Sequence, residues 1–398
     1  MWKKLLALAL SVMMLFSCAL AESSLTANDD AVDLENYVAP ELTEEEIAQW
    51  AEWAGESADE TAAASDSAAE NAADDLTDEE RAMLEQLAGE LDDATQEGEM
   101  DLSDLEVNEA LPDNVVNILL LGIDNRSVQL ETGRSDAMII CSINKDTGSL
   151  KLTSFARDTA VVIPGYKNRK PINNAFKFGS KDGDLVHGAE LAMKTVNRNF
   201  QMNITRYVVV NIHGLADIIE ALGGVDMEMT KAEASAINYE LFVKEPMDKV
   251  KRDKLKLENG VQHLDGMQAV TYGRIRNLKG QNDINRNSRQ RALLEALLAK
   301  VLDGMDFTKL LEVIQTALPY GITNLSLEEM ASLGMSVISG EAMQNLSSGG
   351  EVLQQFGIPM EKMYGYKTFE NKSCVYISDK RMKTTLEAWQ TFLYGQTY

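Results

Sequence analysis

Cysteine and histidine are almost missing from this 398-residue chain, with three of each. His187, His213 and His263 share no metal-ligand spacing and have no nucleophile beside them, which argues against a histidine metal centre and a histidine-based triad. Cys18 falls in an amino-terminal leader, so only Cys141 and Cys374 follow it, both in strand-like runs. Two cysteines cannot staple a small scaffold. They make either one bridge tying residue 374 to the core sheet or two buried thiols.

Long apolar runs are lacking too. The longest, Leu5 to Phe16, follows the basic start Met1-Trp2-Lys3-Lys4 and precedes Ala19-Leu20-Ala21. Twelve residues give about 18 Å of helix against a hydrocarbon core of about 30 Å, so a retained membrane span is not expected. The pattern is that of a signal peptide, residues 1–21, cleaved before Glu22. Leu15-Phe16-Ser17-Cys18 offers the alternative of lipoprotein processing at Cys18. Either route puts the mature chain outside the cytoplasm, secreted or lipid-anchored at the outer face of the membrane.

Positive charge is absent where negative charge is densest. Residues 22–112 hold 30 Asp and Glu against one basic residue, Arg81, whereas residues 113–398 sum to +1. A segment so acidic and so rich in Ala and Ser cannot bury enough apolar surface to fold alone. It is expected to be a disordered acidic arm, roughly 50 Å across as a coil. Two capping boxes, Thr43-x-x-Glu46 and Thr77-x-x-Glu80, predict short helices within it. Nucleic-acid binding needs a basic footprint that neither part offers, so no nucleic-acid partner is expected.

From about residue 113 the patterning is that of one α/β domain, 113–398, with a motif-bearing core at 113–305 and an extension at 306–398. Apolar runs predict strands at Val115–Leu121, Ala137–Ile143, Leu150–Phe155, Tyr207–Asn211 and Val225–Met229. Helical periodicity covers Leu185–Phe200, His213–Leu222 and Ile284–Leu302. Gly223-Gly224 reads as a helix C-cap and turn, not a phosphate loop. The extension suggests two or three helices and a strand at Ser373–Ile377. Strands alternating with helices favour a mixed or largely parallel central sheet flanked by helices on both faces.

Arginines and aspartates gather in two stretches about 120 residues apart, just past these apolar runs. The first holds Asp124, Arg126, Arg134, Asp136, Arg157 and Asp158; the second holds Arg274, Arg276, Asp283, Arg286, Arg289 and Gln290. Guanidinium forks match phosphate oxygens two at a time, and paired carboxylates suit a hard cation such as Mg²⁺. Together they suggest a site for a metal-bound pyrophosphate.

The run NILLLGIDNR, then GRSDAMII, FARDT-x-x-x-IPG, INNAF, ALGGVD, LDGMQAVTYGRIR and DINRNSRQ resembles the LytR–CpsA–Psr family in order and spacing. Most specific is Arg274-x-Arg276 followed by Asp283, Arg286 and Gln290 at steps of seven, three and four. The resemblance implies a central sheet with surrounding helices and a deep apolar pocket for a polyprenyl chain. It also implies a phosphotransferase that uses Mg²⁺ to move a glycopolymer, such as a teichoic acid or capsular polysaccharide, from undecaprenyl pyrophosphate to a peptidoglycan hydroxyl, close to the membrane.

By the same resemblance, Asp124 and Asp136 hold the metal, and Arg126, Arg134, Arg157, Arg274 and Arg276 clamp the pyrophosphate, supported by Asp283, Arg286 and Gln290. Asp158, Lys170, Asn173 and Arg289 complete the substrate-binding set, with Asp158 able to orient an arginine instead. The general base is left open among Asp124, Asp136 and Asp158. Two departures stand out. Pro171 occupies the place where family members carry Lys, with Lys170 one residue earlier, and the leader replaces their amino-terminal membrane helix.

Overall fold

A computed structural model describes residues 105–123, 130–244, 253–275, 321–348 and 353–398, with scattered helical positions at 81–86 and 289–314. The leader, most of the acidic arm and most of the helix expected at 284–302 lie outside the described residues.

Strand formation follows the apolar runs. β1 (Val115–Ile123), β2 (Ser135–Asn144) and β3 (Leu150–Phe155) form an antiparallel meander. The turn between β2 and β3 is built on Asn144, whose side chain accepts from the backbone N–H of Asp146 at 2.9 Å and of Thr147 at 3.2 Å. β4 (Ala160–Val161) and β5 (Lys170–Pro171) make a two-residue hairpin leading into α1 (Asn174–Gly179) and α2 (Leu185–Phe200). β6 (Arg206–Asn211) then pairs parallel to β1.

α3 (Ile212–Ala221) is capped by Asn211, which accepts from Gly214 N–H at 2.7 Å. It ends as expected at the glycine pair. Gly223 and Gly224 take φ of +77° and +66°, and Gly224 N–H closes on Ile219 O at 2.9 Å. β7 (Val225–Met229) and β8 (Gly260–Leu264) pair antiparallel, separated by α4 (Lys231–Tyr239) and followed by α5 (Gly266–Arg274). Thr230 and Asp265 start α4 and α5 with complete capping boxes.

The remaining described elements are β9 (Gly321–Thr323), α6 (Leu327–Ser339), α7 (Glu341–Ser348), β10 (Gln354–Ile358), the hairpin of β11 (Gly365–Phe369) and β12 (Lys372–Tyr376), and α8 (Asp379–Tyr394). This carries more strand than the single one expected for the extension.

The central sheet has six strands in the order β10-β3-β2-β1-β6-β9. Two of its pairings are parallel (β1 with β6, β10 with β3) and three antiparallel, so it is mixed. Alternate residues of each strand feed opposite cores. Ile118, Leu120, Ile139 and Leu152 pack with α3, α4, α5 and α6 on one face. Leu119, Leu121, Ile140 and Phe155 pack with α1, α2 and α8 on the other. Burial on both faces is why β1 is a continuous apolar run instead of an alternating one, with Ile118 to Leu121 all at 0% exposure.

Candidate active site

Topology gathers the charged segments at one edge of the sheet. β1 and β6 are parallel, with Ile123 opposite Asn211, while β2 runs antiparallel between β1 and β3. The end of β1, the start of β2, the end of β3 and the end of β6 therefore share an edge. The segments leaving it are 124–134, Arg157–Asp158 and the cap of α3. Ligand sites of open α/β sheets form at such strand ends.

Asp136 occupies a special backbone position there. Gly122 pairs with Ala137 and Ile123 with Ser135, so the register shifts and Asp136 is the extra residue of a β-bulge. Bulges bend the strand and re-aim the bulged side chain, and they cluster next to active sites. Asp124 follows directly from the β1 side of that bulge.

Just outside the edge lies a cleft of about 480 Å³ lined by Gly133, Arg134, Arg157, Asp158, Asn173, Lys177 and Lys372. Its frame is backbone: Ser135 N–H donates to Asn173 O at 3.3 Å, and Asn173 N–H donates to Arg157 O at 3.2 Å. Three separate segments are thereby fixed around one space. Arg134 Nε donates to Asn174 Oδ1 at 3.0 Å, which orients an otherwise exposed guanidinium. Asp158 stands between two cations, 3.5 Å from Arg157 Nε and 3.9 Å from Lys372 Nζ. Four cationic side chains against one carboxylate among the lining residues give this cleft the charge to suit an anion.

Of the residues singled out in the sequence, Arg134, Arg157, Asp158 and Asn173 are brought together here. Arg274 is not among the lining residues, and neither is Lys170. The Lys170 ammonium pairs with Glu370, which also accepts from Asn168 Nδ2 at 2.8 Å. These two contacts hold the Glu370 carboxyl below the usual carboxylate range, the amide of Asn168 first.

Arg289 is not on the cleft either. It is 4% exposed, lies 3.4 Å from Glu233 Oε1 and donates to Ile275 O at 3.1 Å. It therefore anchors the chain immediately after Arg274, which occupies the last turn of α5. Asp124, Arg126, Arg276, Asp283, Arg286 and Gln290 lie outside the described residues, as does the side chain of Asp136.

Lys177, Lys372 and Asn174 were missed by sequence reasoning. Lys177 could have been found, since it sits one helical turn beyond Asn173. Lys372 carried no local signal. It arrives because Val375 N–H donates to the carbonyl of Asp158 at 3.0 Å, bringing the β11–β12 hairpin to the cleft. No group of three or more His, Cys, Asp or Glu poised for a metal occurs among the described residues. Cys141 and Cys374 are both free and buried.

The LytR_cpsA_psr family model matches residues 81–380. The chain belongs to the LytR–CpsA–Psr family. It is 34% identical over 221 residues to the polyisoprenyl-teichoic acid–peptidoglycan teichoic acid transferase TagU of Oceanobacillus iheyensis, covering 55% of this chain and 62% of that one. It is 31% identical over 241 residues to the TagU of Enterococcus faecalis, covering 60% and 71%. The chain thus spans less than two thirds of the first relative's length.

Among solved structures, TagT bound to LI-WTA aligns with a TM-score of 0.50 at 21% identity, over 75% of this chain and 98% of that one. Protein gbs0355 of Streptococcus agalactiae aligns with a TM-score of 0.51 at 21% identity, over 70% and 88%. These likenesses establish the mixed-sheet fold for this LytR–CpsA–Psr chain. Among its described residues no helix is long and apolar enough to cross a membrane.

Proposed function

We propose that this chain is an extracytoplasmic phosphotransferase that moves a glycopolymer from a polyprenyl (undecaprenyl) pyrophosphate carrier to a peptidoglycan hydroxyl. The observation that carries the reading is the cleft in which Arg134 and Arg157 meet at the sheet edge from which Asp124 and the bulged Asp136 also leave. Membership of the family and relatives named as teichoic acid transferases support it.

In the transfer, an acceptor hydroxyl oxygen bonds to the glycan-bearing phosphorus. The bond from that phosphorus to the bridging oxygen breaks, and polyprenyl phosphate leaves. Such transfer needs phosphate charge neutralised and the attacking oxygen held in line. Arg134, held by Asn174, and Arg157, held by Asp158, supply guanidinium forks of fixed direction. Arg126, Arg274 and Arg276 extend the clamp, with Asp283, Arg286 and Gln290 supporting it.

Asp124 and Asp136, which the resemblance offers as metal ligands, would hold Mg²⁺ through carboxylate oxygens of the kind that suit a hard cation, while Asp158 is engaged by Arg157 and Lys372. A metal held there would supply charge neutralisation at the phosphate oxygens. The acceptor's proton passes to a carboxylate of the Asp124, Asp136 and Asp158 set.

The test is release of polyprenyl phosphate from a short-prenyl pyrophosphate saccharide. Arg157→Ala and Arg134→Ala are each expected to lower turnover about 10²-fold with little change in melting temperature. Turnover within twofold of wild type in both would remove the site assignment. Tight lipid binding without turnover in the wild type would instead select a polyprenyl-phosphate carrier or sensor.

A further inference from the structure

The acidic arm is the largest concentration of charge in the chain, and the cleft gives it no role. Residues 22–104 carry 28 Asp and Glu against Arg81. Such a segment repels itself and is drawn to positive surface. The domain offers positive charge unevenly. Residues 156–184 hold six basic side chains against three acidic ones, and residues 359–398 hold six against four, together +5. The rest of 113–398 therefore sums to −4. The stretches that carry the other charges assigned to the cleft, 124–134 and 274–290, sum to 0 and +4, so they do not cancel the +5.

The two basic segments lie side by side. Val375 N–H donates to Asp158 O at 3.0 Å, Asn168 Nδ2 to Glu370 Oε1 at 2.8 Å, and Arg381 to Tyr364 O at 3.1 Å. Lys181 Nζ, just past α1, donates to the Tyr166 hydroxyl at 2.7 Å. The β4–β5 hairpin, the end of α1, the β11–β12 hairpin and the start of α8 thus join in one surface. Apart from Lys177 and Lys372 in the cleft, it exposes Lys167, Lys181, Lys362, Lys367, Lys380 and Lys383. An ammonium on a flexible stem suits a partner without fixed geometry, and a run of acidic residues is such a partner.

The arm is long enough to reach this surface. It enters the domain at Leu105, which is buried, and Asn108 N–H donates to Met202 O at 3.0 Å just beyond α2. That is the end of the sheet where β6 starts, opposite the edge where β3 ends. Strands of six residues, as β3 and β6 are, span about 20 Å between those ends. The 83 residues of 22–104 span roughly 50 Å by coil scaling. A tether of this kind gives an effective concentration on the order of millimolar, enough to populate a weak contact.

We propose that the acidic arm docks in cis on this lysine surface. Another polyanion then reaches these lysines only by displacing the arm. Docking requires no catalysis and holds whatever the cleft transfers.

The experiment uses the full chain after the leader, residues 22–398, at low ionic strength. A water-soluble carbodiimide joins neighbouring carboxylates and ammonium groups as amides, and mass spectrometry locates the links. Arm carboxylates are expected to link to the six lysines about fivefold more often than to the exposed Lys231, Lys254 and Lys256 beside α4 and β8, as exposed charge pairs allow. In about 0.5 M NaCl the screening length falls to about 4 Å, and the excess is expected to vanish. The Lys194–Glu190 link, from a 3.0 Å pair within α2, serves as the reference. K367E/K380E/K383E, all on exposed side chains, is expected to lower linking at Lys167, Lys181 and Lys362 about threefold.

Equal linking to the two sets of lysines, or none to either, overturns the docking. So does linking at Lys167, Lys181 and Lys362 that K367E/K380E/K383E leaves unchanged. Arm links found only between two copies, in a mixed-isotope sample, overturn the cis geometry.

Discussion

Arg134 illustrates how a surface side chain becomes a binding group at the scale of one residue. A free arginine samples many rotamers, and ordering it costs entropy. The 3.0 Å bond to Asn174 Oδ1, from a side chain itself buried, removes much of that freedom in advance. His187 shows the same principle away from the cleft. Its Nδ1 lies 2.7 Å from Asp182 Oδ2, and that hydrogen bond, before any other effect, raises the imidazole above the usual histidine value. The same contact depresses Asp182. A raised His stabilises fully below its unfolded pKa and loses this as pH rises through the folded one. A depressed Asp stabilises above its unfolded pKa and loses this as pH falls through the folded one. The pair therefore contributes only between these limits, and weakly, because both groups are exposed. An NMR titration should place His187 above 6.5, and Asp182→Asn should bring it down; an unchanged midpoint would dissolve the pair. The two thiols are predictable on the same footing. Burial pushes both Cys141 and Cys374 up, so neither should react with a thiol reagent until the protein is unfolded. Rapid labelling under native conditions would contradict the packing.

Between elements, contact distance decides. Gly266 opens α5 against α3 so closely that a Cβ there would lie 1.8 Å from Ala216 O, a backbone atom that cannot step aside. Gly266→Ala is expected to cost about 1–3 kcal/mol, read as a lower urea midpoint with an unchanged slope. A second tie runs through Glu233. One of its oxygens caps α4 at Thr230, and the other faces Arg289, which in turn holds Ile275 O. Glu233→Gln neutralises a carboxylate that faces the buried Arg289, and breaking a buried ion pair costs about 3–5 kcal/mol. Because Ile275 sits between Arg274 and Arg276, turnover should fall more than stability alone explains. A variant that melts early but turns over normally at low temperature would show that the tie serves only the fold.

At the level of the whole molecule, the C-terminal segment is part of the architecture. β10 adds to β3 in parallel, and α8 lays Trp389, Phe392 and Leu393 into the core shared with α2 and β3. Trp389 is fully buried, donates to Thr153 Oγ1 at 2.7 Å and meets Phe155 edge-on at 5.9 Å. Removing residues 379–398 should abolish the cooperative thermal transition, because the second core loses one wall. A truncated chain with a sharp melt near that of the full chain would refute this. Lys372 reaches the cleft through the same segment, so core and site depend on it together.

What could be read in advance divides along the same physical line. β1 to β3, α2, α3 and β7 were legible because each is written locally, in an apolar run or period, and in Gly223-Gly224 after α3. The convergence of Arg134, Arg157 and Asp158 was legible in outline, since each follows or precedes such a run. β9, β10 and β11 were not. Each has three to five residues, and their partners are far along the chain or, for β11, set by a turn at Glu370 and Asn371 with positive φ. Lys170 was read as substrate-binding through the family resemblance, since it lies one residue before the place where members carry Lys, yet its ammonium pairs with Glu370 on the distant hairpin.

The amino-acid sequence by itself determined the apolar strands, the helix caps, the charge contrast between arm and domain, and the family, since all of these reside in neighbouring residues and their order. Tertiary structure alone decided which charges share a cleft. It also set which strand carries the bulge at Asp136 and which arginine is buried as a strut. Those outcomes depend on strand order and on side chains meeting across long loops, and no local pattern encodes either.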